Sequence, residues 1–168
     1  MGIITTPHVT PDAHVNVGDA AVMREQGVLA SLGLGSCVAL MLYDRATRIG
    51  ALAHILLPHE ALSRTPGKPS KYASTAVAHL LELMRAIERV HAPEARVVGG
   101  ASMFATLLNG GGINMGERNV VATRRALVAA GIPLIAEDVG GDFGRSVYFD
   151  VATGEVRVTS IRHGERVL

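Results

Sequence analysis

A chain of 168 residues, 48% of them apolar, is long enough for one domain with a real core and too apolar for disorder. Sixteen basic against fifteen acidic residues leave a net charge of +1, which gives no electrostatic footprint for nucleic acid or an anionic membrane as partner. The single cysteine, Cys37, excludes an internal disulfide framework and a Cys-rich zinc site. The most apolar stretch, Val28 to Tyr43, is broken by Gly33, Gly35 and Ser36. It is also shorter than the ~20 apolar residues of a spanning helix. Together with the lack of a basic-then-apolar leader, this predicts a cytoplasmic protein without membrane insertion.

Met1 to Ala13 holds Pro7 and Pro11 and no periodic pattern, so residues 1–14 read as a loose extension before a single domain over 15–168. From Val15 the chain is strand-like. Val28 to Leu32 leads through Gly33-Leu34-Gly35-Ser36 into Cys37 to Tyr43. A hairpin over Asp44 to Arg48 then leads to Ile49 to Leu57, stopped by Pro58. These runs are apolar almost without interruption, which predicts a sheet covered on both faces. His59 to Ser70 is a loop with Pro66, Gly67 and Pro69. A helix starting near Ser70 as N-cap carries an apolar stripe of Ala76, Val77, Leu80, Leu83, Met84, Ile87 and Val90.

Beyond Pro93 a short strand is expected over Ala95 to Val98, a short helix over Ser102 to Leu108, and a turn at Gly110 to Gly112. A second helix is expected from Asn119 or Val120 to Ala130, closed by Gly131. Ile132 to Val139, Arg145 to Val151 and Val156 to Ile161 read as strands, the last two joined by a turn at Ala152-Thr153-Gly154. The pairs Gly99-Gly100 and Gly140-Gly141 read as turns that allow close packing.

Two residues stand out for chemistry. Cys37 follows a glycine-containing bend, where backbone N–H groups can converge on one point, as a thioester-forming mechanism with an oxyanion requires. The same residue also fits a small apolar position under a sheet. His54 lies within Ala51 to Leu57 on the strand returning from the hairpin, which can bring it beside Cys37 as a general base. It fits equally a histidine satisfied by backbone carbonyls. Gly33-x-Gly35 lacks the third glycine of a dinucleotide site, and Ser36 is not framed as a serine-hydrolase elbow. The remaining histidines, His8, His14, His59, His79, His91 and His163, show no metal-ligand spacing.

The chain resembles the CheD family of chemoreceptor glutamine deamidases from about Val17 to Val158. The resemblance is carried by Ala21-Val22-Met23, Leu32-Gly33-Leu34-Gly35-Ser36-Cys37-Val38-Ala39, Ala53-His54-Ile55-Leu56-Leu57-Pro58 and Lys71-Tyr72-Ala73. It continues through Gly99-Gly100-Ala101-Ser102-Met103-Phe104, Asn114-Met115-Gly116-Glu117-Arg118-Asn119-Val120 and Asp138-Val139-Gly140-Gly141. It implies a Cys–His–Thr triad falling on Cys37, His54 and Ser31, where serine replaces the usual threonine. The serine hydroxyl keeps the ability to accept from the imidazole N–H. It also implies an α+β fold of two packed mixed β-sheets with helices outside, similar to a cysteine-hydrolase-like deamidase toxin.

The activity so implied is hydrolysis of receptor glutamine amides to glutamate and ammonia through a thioester. The oxyanion would be held by backbone N–H groups around Gly35, Ser36 and Cys37, and no metal or organic cofactor is needed. The family also implies a receptor methylesterase activity. The partners implied are the cytoplasmic helices of methyl-accepting chemoreceptors and a CheC-type phosphatase. The loop His59–Ser70 and the glycines Gly110–Gly112 are candidate receptor-gripping surfaces. The alternatives are a regulator that mainly binds the phosphatase and receptors with weak catalysis, and an amidase acting on another amide.

Overall fold

The computed structural model describes residues 10–103 and 114–168. The Gly110–Gly112 turn, His8, and the helix expected over Ser102–Leu108 apart from its first two residues lie outside the described residues. The described elements run β1 (Ala13–His14), β2 (Ala20–Arg24), β3 (Val28–Leu34), β4 (Val38–Asp44), β5 (Ile49–Ile55), α1 (Ala73–Arg85), β6 (Glu94–Gly99), α2 (Met115–Ala130), β7 (Leu134–Val139), β8 (Arg145–Asp150), β9 (Val156–Ser160) and β10 (Gly164–Val167).

The strands form two five-stranded sheets, ordered β1-β3-β8-β9-β10 and β2-β5-β4-β6-β7. Each sheet has one parallel pair, β1 with β3 and β6 with β7, among antiparallel neighbours. This is the expected α+β architecture of two mixed sheets. α1 and α2 cover the outer face of the second sheet. β4 and β5 are buried along their whole length because they serve two cores. Val38, Leu40 and Leu42 meet the helices, while Ala39, Met41 and Tyr43 meet the other sheet. Period-2 alternation thus yields an unbroken apolar run when both faces of a strand are covered.

The core between the sheets is built around Phe149, which is fully buried and meets Tyr43 edge-on at 5.9 Å between centroids. A second tie between the sheets is ionic. Arg145 of β8, nearly inaccessible, donates to Asp138 of β7 at 3.0 Å and to the Gly140 carbonyl at 2.8 Å. Its guanidinium lies over the Phe143 ring at 4.0 Å. The Gly140-Gly141 turn is the close-packing turn expected, with both φ positive. Gly140 N–H donates to Gly99, and the Gly141 carbonyl accepts from Ser102.

Several boundaries differ from expectation. Ser70 is not the N-cap of α1. Its hydroxyl donates to the Gly18 carbonyl at 2.5 Å, and Pro69–Lys71 forms a 3-10 turn that leads into the helix. α2 starts at Met115, earlier than Asn119, because the Asn114 side chain accepts from the Glu117 N–H and caps the first turn. Its C-terminus at Gly131, with φ 69°, is as expected. β10 was not anticipated. Ala13 and His14, within the stretch expected to be loose, pair with Leu29 and Ala30, and Asp12 bonds to Val28 through both backbone and side chain. Among the described residues no helix is long and apolar enough to cross a membrane.

Gly50 of β5 tests how tightly the sheets meet. A Cβ there would lie 2.8 and 2.9 Å from two Phe149 ring carbons and 3.0 Å from a Val151 methyl. Gly50→Ala is expected to lower stability by about 1–3 kcal/mol, read as a lower urea midpoint at unchanged slope.

Candidate active site

Cys37 sits where the chain leaves the first sheet and enters the second. β3 ends at Leu34, Gly35 and Ser36 make the bend, and β4 starts at Val38. The register of β3 against β8 shifts between Ser31 and Leu34, and Gly33 there has φ 64°. The bulge bends β3 before it pairs once more, Leu34 with Arg145, and the chain then crosses over. Met103 lies over Gly35, its sulfur 3.2 Å from where a Cβ would be. A cleft of about 640 Å³ opens on the other side of Met103, lined by Gly33, Met103, Phe143, Ser146 and Ile161 but by neither Cys37 nor His54.

His54 arrives from the neighbouring strand. It pairs directly with Ala39 in the β4–β5 ladder, so Cys37 lies two residues along from its partner. Residues in this diagonal relation have Cα atoms about 7–8 Å apart and share a face. Cys37 packs against the same inter-sheet core as Ala39, Met41 and Leu52. The hairpin therefore puts Cys37 and His54 toward the same face of the second sheet.

The orientation of His54 comes from an unexpected quarter. Its Nδ1 lies 3.0 Å from the carbonyl oxygen of Val15. A carbonyl only accepts, so Nδ1 carries the proton and Nε2 presents its lone pair. Nε2 is buried and has no partner among the described residues. Ser31, the expected third member, does not accept from the imidazole. Its hydroxyl donates to the same Val15 carbonyl at 2.8 Å. Ser31 and His54 are thus brought together through a shared acceptor. The reason is topological: Val15 follows β1 and its N–H is held by Ala30 of β3, which places its carbonyl between Ser31 and His54. The backbone of His54 is fixed too, its N–H by the Asp19 carbonyl and its own carbonyl by the Gly18 N–H.

Burial pushes the Cys37 thiol above its ordinary pKa. Burial also holds His54 below the usual histidine range, opposed in smaller measure by its bond to Val15 and by the charge of Asp19. Burial thus favours a neutral thiol and a neutral imidazole, not hydrogen-bonded to one another, and Nε2 has no partner among the described residues. Among the described residues no cluster of His, Cys, Asp and Glu is arranged to hold a metal ion.

The bend before Cys37 is anchored by its carbonyls. Gly35 O accepts from Ala101 N–H and Cys37 O from Gly100 N–H, both at 2.8 Å. Ser36 O accepts from the Asn119 side chain at 2.9 Å. No N–H of Gly35, Ser36 or Cys37 donates to an acceptor among the described residues. Gly99 must be glycine here, since a Cβ would strike the Cys37 carbonyl. Val15 and Asn119 were missed as site residues. A backbone carbonyl leaves no trace in residue type, whereas Asn119, a polar residue at helical spacing from Thr123 on the buried face of α2, was a signal that could have been read.

Comparison with known proteins adds to this geometry. Residues 56–160 match the CheD family, described as CheD chemotactic sensory transduction. The chain belongs to the CheD family. That matched segment begins just after His54, so Cys37 and His54 are covered by the whole-chain relatives instead. The chemoreceptor glutamine deamidase CheD of Thermotoga maritima is 42% identical over 154 residues, 91% of this chain and 94% of the relative. The probable chemoreceptor glutamine deamidase CheD of Thermococcus kodakarensis is 40% identical over 155 residues, 92% of this chain and 96% of the relative.

The depressed His54 pKa has a consequence for stability. In the unfolded chain this residue titrates near 6.5. Below that pH the unfolded state binds a proton that the folded state refuses. The stability contributed by neutral His54 is thus fully present above about 6.5 and is lost as pH falls through the depressed folded value. His54→Gln is expected to flatten the decline of the urea midpoint between roughly pH 7 and 5. An unchanged slope would contradict the burial of a neutral imidazole at this position.

Proposed function

We propose that this protein is a chemoreceptor glutamine deamidase of the cytoplasm, with residues 15–168 as its catalytic domain, Cys37 as nucleophile and His54 as general base. The observation that carries the reading is the Nε2 lone pair of His54. Nε2 is buried, has no partner among the described residues, and carries the lone pair because the Val15 carbonyl accepts from the opposite ring nitrogen.

In the proposed reaction, Nε2 takes the thiol proton as the Cys37 sulfur attacks the glutamine side-chain carbonyl carbon. Because the resting pair is neutral, proton transfer accompanies attack and no standing thiolate is required. The tetrahedral oxyanion is received by the free N–H groups of the Ser36–Cys37 bend. One such donor is typically worth about 3 kcal/mol of transition-state stabilisation. The imidazolium returns its proton to the departing nitrogen, releasing ammonia and leaving a glutamyl thioester. Water then gives up a proton to Nε2, adds to the thioester carbon and expels the thiolate, which takes that proton back. Each turnover replaces a neutral amide with a carboxylate. The same attack on an acyl carbon extends to receptor glutamyl methyl esters, with methanol leaving in place of ammonia.

The raised thiol pKa favours keeping a second reading, in which the protein mainly docks with a CheC-type phosphatase and with receptors and turns over slowly. One experiment separates the two. A receptor cytoplasmic fragment is incubated with wild type and with Cys37→Ala, and glutamine-to-glutamate conversion is followed by mass spectrometry. Conversion by wild type alone is expected. Absence of conversion alongside retained binding to receptor or phosphatase would transfer the conclusion to the regulatory reading.

Ser31 gives a finer test. Ser31→Ala leaves the Val15 carbonyl with the imidazole as its side-chain donor. Loss of a buried hydrogen bond costs about 1 kcal/mol, and looser placement of Val15 is expected to slow deamidation several-fold. Ser31→Thr, which keeps the hydroxyl and restricts its rotamer, should match or exceed wild type in kcat on the same receptor fragment.

A further inference from the structure

Asn119 is fully buried on the first turns of α2. Its Nδ2 donates twice, to the Ser36 carbonyl at 2.9 Å and to the Leu56 carbonyl at 3.0 Å. Its Oδ1 is buried without a partner among the described residues. A half-satisfied amide in a helix–sheet core costs stability relative to an apolar side chain of the same size. Packing alone gives no reason for an asparagine here.

The two carbonyls supply the reason. Leu56 lies two residues beyond His54 and Ser36 lies one before Cys37, so a single NH2 group joins the strand carrying the base to the bend carrying the nucleophile. The Ser36 carbonyl belongs to the same peptide unit as the Cys37 N–H. In a planar trans peptide the C=O and N–H point in opposite directions. α2 packs on the outer face of the second sheet, whereas the Cys37 side chain packs toward the inter-sheet core. Drawing the Ser36 oxygen toward α2 therefore turns the Cys37 N–H toward the thiol's own side. The anchor at Gly35 O, held by Ala101, fixes the direction of the Ser36 N–H in the same way.

We propose that Asn119 is a positioning residue that aims the Cys37 N–H at the developing oxyanion and sets the spacing of Cys37 and His54. It touches no substrate and acts through the Ser36 and Leu56 carbonyls. The inference rests on the thioester reading of Cys37, but its test does not depend on the receptor being the substrate.

The test compares wild type, Asn119→Leu and Asn119→Asp. Both variants are close in size to asparagine and lack the NH2 donor, and Asn119→Leu also removes the orphaned oxygen. Two probes of Cys37 are read side by side. Butyraldehyde, which matches the carbon chain of a glutamine side chain from Cα to Cδ, adds reversibly to the thiol. An S–C bond forms, the carbonyl π bond breaks, and the thiol proton ends on oxygen, which accepts from the aimed N–H groups. Iodoacetamide alkylates the sulfur with loss of iodide and forms no such oxygen. The expected result is an aldehyde affinity about 10–100-fold weaker in the variants, with alkylation rate and its pH profile within about 2-fold of wild type. On the receptor fragment, kcat falls by a similar factor while KM holds.

Unchanged aldehyde affinity in either folded variant overturns the proposal. So does a parallel fall in both probes, which marks general loosening of the site. If wild type captures the aldehyde in an Asn119-dependent way but leaves the receptor glutamines intact, the positioning role stands and the receptor reading fails. Should Asn119→Leu not fold, Asn119→Asp carries the same comparison.

Discussion

One backbone oxygen organises this site. The Val15 carbonyl accepts from both the His54 ring and the Ser31 hydroxyl, and so brings together a residue from each sheet. An imidazole in an apolar interlayer is costly unless its nitrogens are satisfied. Here one nitrogen is satisfied by an acceptor that cannot itself titrate or donate. That choice settles the tautomer without adding a charge, and it leaves the other nitrogen as the sole polar atom of the ring facing the core. A carboxylate in the same place would orient the ring equally well but would raise its basicity and draw in water.

The rest of the fold can be read as the scaffold for that oxygen and for the bend opposite it. β1 is only two residues long, yet its parallel pairing with β3 delivers Val15 to the gap between the sheets. The bulged end of β3 then lets the chain cross to the second sheet at Cys37. Below the bend, the Gly99-Gly100 turn approaches closely enough that side chains are excluded at both positions. The bend at Cys37 and the ring of His54 are held by main-chain contacts at a crossing between layers. A rigid two-sheet core gives such contacts the precision that a surface loop lacks.

The parts legible in the sequence were those in which side-chain type and period carry the information. The β4–β5 hairpin announced itself as two apolar runs around Asp44–Arg48, and with it the placement of His54 on the strand next to the one that follows Cys37. The start of α1 was misplaced because Ser70, a good cap by composition, is engaged by the distant Gly18 carbonyl. The start of α2 was placed late because Asn114 follows a glycine run, although its spacing to Glu117 is a capping pattern. β10 is exposed throughout, so it lacks the alternation by which a strand is recognised. Ser31 was placed in the right neighbourhood with the wrong hydrogen-bond partner. The true partner is main chain, for which residue identity holds no information. Family resemblance shortened the route to the function, and the geometry then reassigned how the base is held.

The raised pKa of Cys37 bears on endurance as well as on catalysis. Peroxides attack thiolates far faster than thiols, and a low-pKa cysteine in an open cleft is the usual target of sulfenic acid formation. This cysteine rests protonated, half-covered, and without a second thiol in the chain to close a disulfide. Oxidative damage to it could not be trapped as an internal, readily reduced bridge. A half-buried thiol held in its protonated form is therefore also one that is spared from peroxides.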